Sequence, residues 1–460
     1  MLEQIRILQQ RINDLQNPST PRQPQQRMPS SSSAAPSQMP LGPLLSYFHS
    51  QQTSGTNVSA SSAMAAEVPP IVLQALAHNF LHNASSFGFF LDTQAFHEAI
   101  QNQTLQSNLP SVLLNVMHLW GIHLSTDARI ARYEPALLAR ALDSTASSLT
   151  STHPRTLLHG AQAEVLLATY FLRNGRMVEG RYHISAAVGI VLSGRWNQIQ
   201  PASNLDELRE RREQVAAFWN VLTIDGVWAG IHDWAPNVIV GPGGLDIQTS
   251  LPADDSNLRA QASVFPVGSD GGTLARFMAD LPDHPDSPAA LHAKAGILLA
   301  TAAMGRPGSP VDAALDRRVA GFVAGLPAIQ SKTTLITHLL ARLATIRLHL
   351  SVGAPDSRAK VLAAAREVVG ILMDPAVAEE VKGGIVDPII APILARTARV
   401  FITELAAVRA SGSNGGGQGL LEQLKFLVQV MQIMAPRFTL MASQLETIRQ
   451  ACGSARIPLA

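Results

Sequence analysis

The chain has 460 residues, of which 46% are hydrophobic, with 35 Lys+Arg against 34 Asp+Glu. A net charge of +1 excludes a surface that is cationic throughout and drawn to phosphate, while the apolar content is enough to bury a large core. A single cysteine, Cys452, excludes an internal disulfide framework and any zinc site built from the cysteines of one such chain, and it points to a reducing compartment.

In chain order, the first stretch is "MLEQIRILQQRINDLQ", which lacks the continuous apolar run of a signal peptide. Ile5, Leu8, Ile12 and Leu15 follow the spacing of heptad a and d positions, with Ile at a and Leu at d, over only two heptads. By spacing alone, residues 1–17 are either a fragment of a parallel two-stranded coiled coil or a stray amphipathic turn. Residues 18–67 are dominated by Ser, Pro, Gln and Ala and are expected to form a disordered linker, since such a composition buries too little to offset its ordering entropy. No apolar run approaches 18 residues; the strongest, "AGILLATAAMG" at Ala295 to Gly305, has core-helix length, so the expectation is a soluble intracellular protein with no membrane partner.

From Val68 the period turns helical. Leu157, Ala161, Val165, Ala168 and Leu172 make one apolar stripe, Gly175 interrupts it, and Met177, Ile184, Val188 and Val191 make the next, predicting an αα-hairpin. Leu335, Leu339, Leu343, Ile346 and Leu350 form a third stripe, and Val361, Ala365, Val368 and Leu372 a fourth. Further helices are predicted over Pro388–Arg409 and Leu420–Met434, on either side of "SGSNGGGQG". Alternating β-branched runs are missing, so the predicted class is all-α: a body of antiparallel helices over 68–460, broken by a Gly-, Pro- and Asp-rich irregular connection at about 238–288.

Motifs for chemistry are sparse. The sequence contains neither GxxxxGK[ST] nor GxSxG, and the glycines at Gly241 to Gly244 and Gly268 to Gly272 read as plain loops. His78 and His82 share a helical face, but Asn79 stands where a metalloprotease helix would carry glutamate, and they read as polar residues on the rim of a core helix. Asp254-Asp255 lacks the further acid of an aspartate-rich Mg²⁺ motif, and the Ser-Pro pairs at Ser287 and Ser309 read as turns before kinase sites. No catalytic, cofactor or metal residue is assigned, and the expectation is a non-enzyme. The most pointed feature is "RREQVAAFWNVLTIDGVWAGIHDW", Arg211 to Trp234, where Asp225 falls at the edge of a helix face carrying Val215, Phe218, Trp219, Leu222 and Gly226. An acid there is either a catalytic group in a pocket or a structural acid held by an arginine or a helix N-terminus.

The basic pair Arg211 and Arg212, then Phe218-Trp219, then Asp225 six residues after the tryptophan, followed by "LDIQTSLP" at Leu245 to Pro252, resembles the middle regulatory region of fungal zinc-binuclear-cluster transcription factors. Upstream, "FGFFLDTQAFHEAI", "PSVLLNVMHLWGIHLS" and the 156–192 hairpin are similar to that family's preceding helices. The resemblance implies that Asp225 is a structural acid, capped or salt-bridged. It also implies that Ile5, Leu8, Ile12 and Leu15 pair two chains, as a homodimer or heterodimer. Relatives place six cysteines and two zinc ions before that coil. No such cluster is present here, so no cofactor is expected in this chain, and DNA would be reached only indirectly or through a missing N-terminal module. The implied protein is a nuclear transcription regulator that works with the transcription machinery and answers to a small-molecule effector. The residues alone also allow a scaffold of helical hairpins, or less readily a helical enzyme, although the hairpin does not recur at constant spacing.

Overall fold

Helix starts follow the local chemistry of their first turns. In the computed structural model, which describes residues 68–102, 110–146, 149, 155–199, 205–241, 243–253, 274–281, 286–305, 311–350, 352, 354–382, 384–411 and 417–459, seventeen α-helices and no strand occur among the described residues. The heptad positions Ile5, Leu8, Ile12 and Leu15, the 18–67 linker, Asp254-Asp255, Gly268 to Gly272 and Ser309 lie outside the described residues. All described residues fall in one unit, Ser54–Ala460.

The first helices are α1 (Pro70–Asn83), α2 (Thr93–Gln101), α3 (Ser111–His123), the one-turn α4 (Ala128–Ala131) and α5 (Glu134–Ala146). Proline opens α1, where its missing N–H costs nothing, and Asp92 caps α2 by accepting from the Gln94 and Ala95 amides at 3.0 and 3.4 Å. The predicted hairpin is α6 (Thr156–Arg173) and α7 (Met177–Ser193). Gly175 turns it with φ of 73°, a left-handed conformation that glycine adopts without strain.

Then come α8 (Leu205–His232), the short α9 (Leu274–Met278), α10 (Pro288–Ala303), α11 (Ala313–Gly325), α12 (Lys332–Leu350), α13 (Pro355–Met373), α14 (Pro375–Lys382), α15 (Ile390–Ala410), α16 (Gly417–Met434) and α17 (Thr439–Ser454). The glycine-rich boundary between the last long helices is shorter than expected, because α16 already begins at Gly417.

The long helices pack side by side: α6 on α7, α8 on α10, α10 on α12, α12 on α13, and α15 on α16 and α17. Two crossings depend on small residues. A Cβ at Gly121 of α3 would sit 2.1 Å from the Leu76 carbonyl oxygen of α1, so only glycine lets those backbones touch. Between α8 and α10, Gly226 and Gly230 face Ala300 and Ala303, while Gly296 faces Thr223. The hairpin's stripes proved too narrow a description. In α6 every residue from Leu158 to Arg173 is buried while Leu157 is 41% exposed, because neighbours cover the helix on all sides.

Candidate functional site: the buried acid and its loop

Helix α8 carries the Phe-Trp-Asp motif through the middle of the helical layers. Asp225 lies not at the edge of one apolar face but in a turn buried everywhere except at half-buried Ile224, with Val221, Leu222, Thr223, Gly226, Val227 and Trp228 also enclosed. The cause is packing: α8 is in contact with both hairpin helices and with α10.

Asp225, 3% exposed, is a structural acid whose partners come from the loop that follows its own helix. Its Oδ1 accepts from the Asn237 amide at 3.2 Å and from Asn237 Nδ2 at 2.7 Å, and Oδ2 accepts from the Val238 amide at 3.0 Å. Burial raises the carboxyl above its usual range, with these hydrogen bonds and the charge of Arg181 working in the opposite direction. Neither holder anticipated from the sequence, an arginine ion pair or a helix N-terminus, is the one used. Arg211 and Arg212 are 14 and 13 residues earlier on the same helix, about 20 Å away along its axis, and cannot reach Asp225. Arg211 instead pairs with Glu207 one turn back.

The loop is tied down along its length. Arg181 of α7 donates to the Ala235 carbonyl at 3.2 Å, and Ser185 to Asn237 Oδ1 at 2.9 Å. Gly241, with φ of 112°, begins a tight turn in which a Cβ on Gly244 would meet the Ile239 carbonyl oxygen at 2.1 Å, so this glycine run is a backbone reversal and not a phosphate cradle. "LDIQTSLP" then lies along the short helical turn at Trp196–Gln198. The Gln248 and Thr249 amides donate to Asn197 O, Thr249 Oγ1 donates to Trp196 O at 2.7 Å, and Trp219 Nε1 donates to Ser250 O at 2.6 Å. Phe218 packs edge-on against Trp219.

At the far end of α8 the ring of His232 is stacked between Trp228 and Trp234, with centroids 5.5 and 4.9 Å away. Burial and the nearby Arg396 lower its pKa, so the neutral imidazole is favoured. Asp233, left-handed at φ 57°, bridges Arg347 at 2.5 Å and Arg396 at 3.0 Å. Burial raises its pKa, but the Arg396 hydrogen bond and the two arginine charges outweigh that and hold the carboxyl low. Nothing in the local sequence singled out this junction, whose arginines lie more than a hundred residues downstream.

A second group missed by sequence reading has the residue types of a nucleophilic triad. His349 Nδ1 lies 3.1 Å from Ser357 Oγ and Nε2 lies 3.0 Å from Asp316 Oδ1, while Asp316 Oδ2 pairs with Lys360 at 2.5 Å. Ser357 is 5% exposed on the first turn of α13, so its hydroxyl offers no approach to an acyl group. These contacts brace α11, α12 and α13 against one another. His78 and His82 are exposed on α1, as a rim position requires, and His97 of α2 meets His78 edge-on at 5.9 Å. Among the described residues no group of three or more His, Cys, Asp or Glu side chains is arranged to hold a metal.

Ser287, read as a turn or kinase site, is the buried N-cap of α10: its Oγ accepts from the Ala290 amide and donates to Pro252 O at 2.6 Å. That leaves it closed to a kinase. Among the described residues no helix is long and apolar enough to cross a membrane. No family model matches the chain, and no curated protein matches it.

Proposed function

We propose that this chain is a transcription regulator, the regulatory region of a fungal zinc-cluster-type factor, acting in the nucleus without an enzymatic step of its own. One observation carries the reading. The segments that resemble the family, separate in sequence, are wired into a single unit: the hairpin holds the loop through Arg181 and Ser185, the loop holds Asp225, and "LDIQTSLP" holds Trp219. A motif set that meets in space behaves as one inherited module, where unrelated chance matches would scatter. In this reading chains pair through Ile5, Leu8, Ile12 and Leu15, DNA is reached indirectly or through a zinc module outside this sequence, and the body passes an effector's signal to the transcription machinery.

The test is the full chain, fluorescently tagged for location and separately fused to a heterologous DNA-binding domain upstream of a reporter. The expected result is nuclear fluorescence together with reporter output that departs from the DNA-binding domain alone. Exclusion from the nucleus together with unchanged reporter output would overturn the proposal. A chain with Ile5, Leu8, Ile12 and Leu15 all changed to Ala is expected to lose self-association in sedimentation; unchanged association would remove the coiled coil from it.

A further inference from the structure

Arg173, the last residue of α6, is 3% exposed and has no acidic partner among the described residues. Its Nη2 donates to two carbonyl oxygens, Gly384 O and Arg437 O, each at 2.9 Å. Nε and Nη1 are buried and make no hydrogen bond. Phenylalanine rings flank the guanidinium, Phe438 at 4.6 Å and Phe87 at 5.8 Å from its carbon. Ser86, 4% exposed, touches the same segment only through a long 3.5 Å hydrogen bond to Ile385 O. Burial pulls the guanidinium pKa down to about 10, so it stays protonated at neutral pH.

A buried cation with spare donors and no counter-charge is among the more costly arrangements in a protein interior. Other enclosed cations among the described residues are paired: Lys294, with 3% of its side chain exposed, reaches Asp286, and Arg318, with 13%, reaches Asp280. We propose that Arg173 anchors a site for a small monocarboxylate whose apolar body lies against Phe87 and Phe438. Nε and Nη2 form one edge of a guanidinium. A carboxylate that replaces one of the two carbonyls on Nη2 and adds Nε completes the bidentate pair this group favours. One negative charge neutralises the one positive charge present, whereas a phosphate dianion would leave a net charge buried between two rings. The site stands on its own geometry and does not rest on the transcriptional reading.

The experiment uses the purified full chain, with benzoate and hexanoate as probes and chloride and inorganic phosphate at matched ionic strength as controls. Carboxylates in excess of their Kd are expected to raise the melting temperature by roughly 2–4 °C, by mass action on the folded state. Arg173→Met is expected to weaken that response at least tenfold, and Arg173→Lys, which keeps the charge and loses the planar fork, to weaken it in part. Mass spectrometry of a denaturing extract of the wild-type chain is expected to release an organic acid that the Arg173→Met extract lacks. Where Arg173→Met does not fold, Arg173→Lys and the wild-type extract decide. A carboxylate response unchanged by either substitution, a response to phosphate in place of carboxylate, or neither response nor extracted acid would each overturn the proposal.

Discussion

Asp225 and Arg173 are buried to the same degree, 3% exposed each, and neither forms an ion pair among the described residues, yet their surroundings differ. Asp225 receives three donors from a loop beginning a few residues beyond its own helix, so both oxygens are satisfied locally. Arg173 reaches across more than two hundred residues to two carbonyls and keeps two nitrogens unsatisfied. The lesson is that burial alone says little about a charge. What matters is whether its hydrogen-bonding capacity is filled, and by groups that were going to be there in any case.

The largest expected effect comes from emptying the satisfied site. Asp225→Ala orphans the buried Val238 amide and frees Asn237, and should cost about 3 kcal/mol at one to a few kcal/mol per unmet group, read by chemical denaturation. A loss under about 1 kcal/mol would mean that the loop is held by its other ties and that the acid is incidental.

Asp387 sharpens the contrast, because among the described residues it has a single donor, the Ile389 amide at 2.9 Å, and burial pushes its carboxyl up to about 6. Its folded pKa lies above the ordinary value of 3.8, so the native state holds the extra proton between those limits. The stability it contributes is therefore complete below the ordinary value and is lost as pH rises through 6. Asp387→Asn keeps the capping oxygen and cannot ionise. It should gain about 1–2 kcal/mol over wild type between pH 4 and 7, the shift being discounted for partial exposure. Parallel pH–stability curves for the two proteins would refute this.

Arg173→Met removes a charge together with its unmet donors, so without ligand the variant should unfold within about 1 kcal/mol of wild type or above it. A loss of several kcal/mol would make Arg173 a clamp of the Asp225 kind. Smallest of all, Arg211→Ala should change stability by less than about 0.5 kcal/mol, since its pair with Glu207, one helical turn back, is part-exposed and screened by solvent. A larger loss would mean that Arg211 supports the buried acid through an indirect route.

What could be read from the sequence follows the range of the interactions. The hairpin was legible because Gly175 and the flanking stripes act within a few residues, and the all-α class because period is a local property. The N-cap role of Ser287 was available too, in a serine directly before a proline that opens an apolar helix, although the dipeptide by itself reads as a simple turn. The holders of Asp225 were not legible, because two of the three donors are backbone amides, which sequence composition does not reveal, and the third is Asn237 Nδ2 in the following loop. Arg173 in "FLRNGR" looks like any basic residue ending a helix, and His349 gives no hint of an aspartate 33 positions before it. Those roles arise only when distant helices are brought together.

The bonds from Arg173 to Gly384 and Arg437 also bear on the order in which the chain acquires its structure. Helix α6 is synthesised more than two hundred residues before the carbonyls that receive its terminal guanidinium. At ribosomal rates of about 5–20 residues per second, the hairpin waits on the order of 10 s or more with that end uncovered. Its local contacts form early, while closure around Arg173 comes among the last steps, after the C-terminal helices have emerged. Nascent chains released shortly before Arg437 should therefore hold a formed hairpin whose arginine remains open to water and to chaperones.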